Sequence, residues 1–97
     1  MLYNFEWDPE KNKKNIRKHR VSFQRASTVF RDPNQISIYD EEHSENENRW
    51  VTIGIDSGGT LRVIVHTFMP VSQTISRIRI ISARKATKAE AIVYKEG

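Results

Sequence analysis

Arg77, Arg79, Arg84 and Lys85 place four cations within one short stretch of the chain. Ile78 and Ile80 alternate with the first two, so a two-residue period puts isoleucines on one face of a strand and arginines on the other. A planar guanidinium matches two phosphate oxygens at once, which makes such a face a candidate anion site. Thr87 and Glu90 follow with the spacing of a capping box, and the free amides of a helix start are a second source of anion-binding donors. The alternative is a charged strand edge that stays in water and resists edge-to-edge pairing. Spacing alone leaves both readings open.

A second cationic group lies near the other end. Between Lys11 and Arg20 stand Lys11, Lys13, Lys14, Arg17, Lys18 and Arg20, with Ile16 as the sole aliphatic residue. That run reads as a helix with a thin packing stripe and a broad basic surface. His19 ends it, and His43 sits in a polar segment with the acids Asp40, Glu41, Glu42, Glu45 and Glu47. Cations beside carboxylates and imidazoles are sufficient for metal-free RNA cleavage. The 2′-hydroxyl already lies next to the scissile phosphate, so a protein has to align it, take its proton, neutralise the phosphorane and protonate the leaving oxygen. Tyr3, Trp7 and Trp50 could stack an unpaired base, or belong to the core and its rim.

Other chemistries find less support. Asp40, His43 and Ser44 are too close in sequence to form a hydrolytic triad. With no cysteine and three scattered histidines there is no regular metal-ligand spacing, so no metal and no cofactor is expected. His66 reads as a strand-packing residue.

These groups need elements to position them. Residues 4–7 read as a short strand, after which Asp8 and Pro9 open a helix running to about His19. Ser22 caps a second, short helix with Phe23, Ala26, Val29 and Phe30 on its apolar face, and Asp32-Pro33 stops it. Residues 35–40 form a strand and 40–49 a polar loop. Strands at 50–55 and 61–68 are joined by Asp56-Ser57-Gly58-Gly59-Thr60, a hairpin turn. Both faces of the second strand are apolar, which marks it as central. The arginine-bearing strand comes last, and a helix over 87–95 closes the chain. Two N-terminal helices, an antiparallel four- to five-stranded sheet and one C-terminal helix predict an α+β two-layer domain.

The 97 residues are expected to form a single domain, 1–97, with one small core. The formal charge of +4 is modest, so its clustering matters more than its size. The N-terminal residues lack a basic and an apolar signal region, and no run could span a bilayer, so a soluble, cytoplasmic protein without membrane association is expected.

The first half of the chain holds the blocks Phe5-Glu6-Trp7-Asp8-Pro9-Glu10-Lys11, Asn15, Lys18-His19, Val21-Ser22-Phe23, Val29-Phe30 and Asp32-Pro33. The second half holds Asp40, His43-Ser44, Glu47, Arg49, Ile53-Gly54, the run from Arg77 to Thr87, Glu90 and Tyr94. Together these blocks resemble the BrnT family, the ribonuclease toxins of type II toxin–antitoxin modules. Two positions depart from the family pattern: Arg20 stands where glycine is usual, and Met69 where arginine is usual. The resemblance implies a RelE-like fold, a ribonuclease that halts translation, a BrnA-type antitoxin as partner, and contact with operator DNA only through the antitoxin complex.

From residues and resemblance together, Arg79 and Arg84 are the expected phosphate and transition-state groups. His19 and His43 are the acid–base candidates, with Glu47 a base or a partner orienting Arg49. Lys11, Lys14, Lys18, Arg49, Arg77 and Lys85 are expected to bind RNA. The competing reading keeps the basic surface but not the chemistry: a nucleic-acid-binding or antitoxin-binding module.

Overall fold

The computed structural model describes residues 2–97. Strand β1 (Leu2–Glu6) leads into helix α1 (Pro9–His19), helix α2 (Phe23–Ser27) and a 3-10 turn (Thr28–Arg31). Strands β2 (Ile36–Tyr39), β3 (Arg49–Ile55), β4 (Leu61–Thr67), β5 (Met69–Pro70) and β6 (Ile75–Lys85) follow, and helix α3 (Lys88–Glu96) ends the fold. The architecture is α+β, as expected, and compatible with a RelE-like arrangement.

The sheet runs β1-β6-β4-β3-β2, with the short β5 also on β6. It is six-stranded and mixed, where four or five antiparallel strands were expected. β1 lies parallel to β6, pairing Phe5 with Ile78 and Glu6 with Arg79. Adjacent strands joined by a tight turn must pair antiparallel, whereas the first and last strands are constrained only by tertiary packing. β4 is central, as its apolar faces indicate.

Local signals set the helix starts. Asp8 accepts the Glu10 amide at 2.9 Å, Ser22 accepts that of Arg25 at 3.0 Å, and Thr87 accepts that of Glu90 at 3.2 Å. In the hairpin turn Asp56 Oδ1 accepts the Gly58 and Thr60 amides at 2.8 and 3.1 Å. Gly59 there has φ +84, which suits glycine.

One face of the sheet carries the main core, in which Phe23, Val29, Phe30, Ile64, Ile78, Ile80 and Ala83 pack together. A register shift between Val65 and His66 lets β6 oppose Val65 with Ser82 but His66 with Ile80. This bulge keeps Ala83 on the core side with Ile78 and Ile80, and so returns Arg84 to the side of Arg79. On that opposite side Arg84, Val63, Ile53 and Ile36 form a cross-strand row. α3 spans the row: Glu90 binds Arg84 at one end and Gly97 lies beside Ile36 at the other. Helices thus lie against both faces, a refinement of the two-layer expectation.

α1 docks through amides rather than aliphatics. Asn15 Nδ2 donates to the Val21 and Ala83 carbonyls at 3.0 and 2.9 Å, and its Oδ1 accepts the Ala83 amide at 3.1 Å. β1 pairs with β6 only as far as Arg79, so Asn15 stands in for a strand where the β6 edge would otherwise be bare. Asn12 Oδ1 accepts the Phe23 amide at 2.9 Å, while Ile16 is 41% exposed.

Candidate active site

The end of the sheet opposite α3 gathers charged groups from separate parts of the chain. Arg49 at the start of β3 pairs with Thr67 of β4, and the Thr67 hydroxyl accepts the Arg79 amide at 3.2 Å. Glu6 is the register partner of Arg79 on β1. The loop between β2 and β3 lies over this end of the sheet. An open pocket is lined there by Lys11 of α1, by Glu42, His43, Glu45 and Glu47 of the loop, and by Arg49 and Arg79.

Glu47 links the cations. Its Oε2 accepts from Arg79 Nη2 in a short contact, and its Oε1 accepts from Arg49 Nε and Nη2, both at 3.4 Å. The Arg79 side chain remains 42% exposed, so an anion can still reach it from solvent. Glu47 therefore occupies the kind of position a phosphate oxygen would take between two guanidinium groups.

His43 is oriented by Asp40. Its Nδ1 lies 2.9 and 3.2 Å from the two Asp40 carboxylate oxygens, which fixes Nδ1 as the donor and leaves Nε2 for other work. Asp40 was not among the residues expected to take part in the chemistry. Ser44 is not part of one, because its hydroxyl donates to the Asp40 carbonyl and accepts the Arg49 amide at 3.0 Å. The spacing Asp40-x-x-His43 was the available signal for an orienting carboxylate.

The structure thus brings together Lys11, His43, Glu47, Arg49 and Arg79. Arg77 lies on the rim, lining an adjoining pocket with Glu6, Glu47, Phe68, Met69 and Arg79. Arg77 is also the register partner of Met69 across β5 and β6. Lys14 and Lys18 are exposed and follow Lys11 at helical spacing on α1. His19 ends α1, about two turns from Lys11, and does not line the pocket.

Arg84 and Lys85 are at the far end of β6. Arg84 donates to both carboxylate oxygens of Glu90 at 2.8 Å, and Glu90 also accepts the Thr87 amide at 2.8 Å. The capping carboxylate thus fills the place where those donors were expected to meet a phosphate. The Arg84 hydrogen bond is the main cause that holds the Glu90 carboxyl down to about 2. Among the described residues no three acidic or imidazole groups converge as a metal site. Among the described residues no helix is long and apolar enough to cross a membrane.

Residues 7–90 match the family described as ribonuclease toxin, BrnT, of type II toxin–antitoxin systems. No curated protein matches the chain. Among solved structures, the ribonuclease toxin BrnT of Brucella abortus superposes with a TM-score of 0.63 at 20% identity, over 91% of this chain and 100% of that one. At that identity the likeness speaks for the fold.

Proposed function

Because this chain belongs to the family of BrnT ribonuclease toxins of type II toxin–antitoxin systems, we propose that it cleaves RNA without a metal at the pocket of Arg79 and Glu47. The supporting observation is the convergence of Lys11, His43, Glu47, Arg49 and Arg79 from four separate segments into one open pocket.

A phosphate entering the pocket replaces Glu47 on the two arginines. The freed carboxylate takes the proton of the 2′-hydroxyl as that oxygen bonds to phosphorus. Arg79 and Arg49 carry the charge that builds on the phosphorane oxygens. The bond from phosphorus to the 5′-oxygen breaks, and protonated His43, held by Asp40, gives that oxygen its proton. The products are a 2′,3′-cyclic phosphate and a free 5′-hydroxyl, and both residues then exchange protons with water.

Lys11, Lys14 and Lys18 extend the cationic surface along α1 and hold the flanking RNA. Arg77 supplies, from the neighbouring strand, the cation that position 69 lacks. Arg84 acts at a distance from the chemistry by fixing α3. Lys85 and His19 serve as peripheral contacts.

In the cell the target is translated RNA in the cytoplasm, the neutralising partner is a BrnA-type antitoxin, and operator DNA is met only through the complex with it. The test is induced expression with and without the antitoxin encoded beside it. Growth arrest relieved by the antitoxin is the expected result, and normal growth at verified expression contradicts it.

A further inference from the structure

Successive residues on a strand face opposite sides, so Trp50 and Ile78 lie on the reverse of the face that carries Arg49 and Arg79, and Phe68, which follows β4, packs against the core on that same side. There they line a cavity of about 240 Å³ with Tyr3 and Phe30. Its size is below the about 300 Å³ at which sites for drug-sized ligands begin, and suits one ring system. Protein interiors rarely leave such space open beside aromatic rings, since closing it would bury apolar surface. Tyr3, Trp50 and Phe68 are instead all left part-exposed around it. Phe68 also lines the rim pocket of Arg77 and Arg79, so the two sites meet at the end of β4.

The polar groups of the cavity have a defined sense. His66, buried beneath Phe30 with ring centroids 4.9 Å apart, donates from Nδ1 to the Thr67 carbonyl at 2.9 Å. Its neutral Nε2 therefore accepts from the Thr52 hydroxyl at 2.6 Å, and the Thr52 oxygen accepts from Ser37 at 2.7 Å. Burial lowers the pKa of His66 and keeps this order intact. Ser37 thus spends its proton inward and offers lone pairs to a ligand. Gln35 likewise uses its amide nitrogen on the Phe30 and Asp32 carbonyls at 2.9 and 3.1 Å, leaving its oxygen as an acceptor.

We propose that this cavity takes an unpaired nucleobase bearing an exocyclic amine from the RNA strand next to the scissile phosphate. The aromatic rings stack it, and the Gln35 and Ser37 oxygens accept from its amine. Uracil is disfavoured, because its two carbonyls would meet these acceptors. This rests on the reading of the chain as an RNA-cleaving protein, and adds to it a site that selects sequence.

The experiment measures binding of the full chain to uncleavable 2′-O-methyl oligonucleotides of equal length: oligo-A, oligo-C, oligo-U and an abasic strand. The first two are expected to bind on the order of tenfold tighter than the others, as for one stacked and hydrogen-bonded base. Ser37→Phe, which fills the cavity from the exposed edge strand, should bind all four alike, with the affinity of wild type for the abasic strand. Equal binding of all four by wild type would overturn the base site and leave the RNA-binding reading standing. Binding of none would overturn both.

Discussion

Arg84 and Glu90 form a two-pronged ion pair, with both guanidinium–carboxylate distances at 2.8 Å. The pair fastens the last strand to the helix that follows it, and the same carboxylate completes the capping box at Thr87. Its contribution depends on Glu90 being ionised. The carboxyl falls from 4.5 to about 2 on folding, so the stabilisation is complete above about 4.5 and lost as pH falls toward about 2.

Glu90→Gln keeps the cap and removes the charge. With the Arg84 side chain 41% exposed, screening reduces the effect to about 1 kcal/mol at neutral pH. Chemical denaturation at pH 7 and pH 3 should show the difference between variant and wild type shrinking at the lower pH.

Glu47 both neutralises the arginines and is assigned the proton transfer, so its loss should act in opposite directions on binding and rate. Glu47→Gln is expected to tighten RNA binding about two- to fivefold, by removing a competing charge worth about 0.4–1 kcal/mol. The single-turnover rate should fall by about 10² to 10⁴. Weaker binding with an unchanged rate would make Glu47 an organiser of Arg49 and Arg79 only.

The helix caps, the hairpin at Asp56 to Thr60 and the alternation around Arg79 were legible because each depends on residues close in sequence. The role of Asn15 was not, since an asparagine among lysines gives no sign that it faces the Ala83 backbone across the fold. The bulge opposite Val65 was equally hidden, and it decides on which side Arg84 lies. Both arginines were visible as candidates, but only the folded loop distinguishes Arg79, in a shared pocket, from Arg84, bound to its own helix cap.

Met69 and Arg77 are register partners, so a cation at either position faces the same rim. Arg77→Ala should weaken RNA binding and reduce the salt slope by about 0.7, as for one phosphate contact to a single strand. Adding Met69→Arg to that variant should restore both. Binding titrations at several salt concentrations decide it.

Arg20 ends α1 with φ 60 and ψ 28, the left-handed conformation that disfavours side chains. Glycine there removes about 1–2 kcal/mol of strain and adds about 0.5–1 kcal/mol of unfolded-state entropy. Arg20→Gly should therefore stabilise the fold by about 0.5–1 kcal/mol, read from urea midpoints at constant m-value.

Arg79 is proposed to stabilise the transition state of a metal-free cleavage. The direct measurement is single-turnover cleavage of RNA in EDTA by wild type and Arg79→Ala, with product ends and RNA affinity determined for each. Wild type should yield 2′,3′-cyclic phosphate ends. Arg79→Ala should be slower by about 10² to 10³, with a much smaller loss of affinity. A magnesium requirement with 5′-phosphate products, or rate and affinity falling in equal proportion, would contradict it.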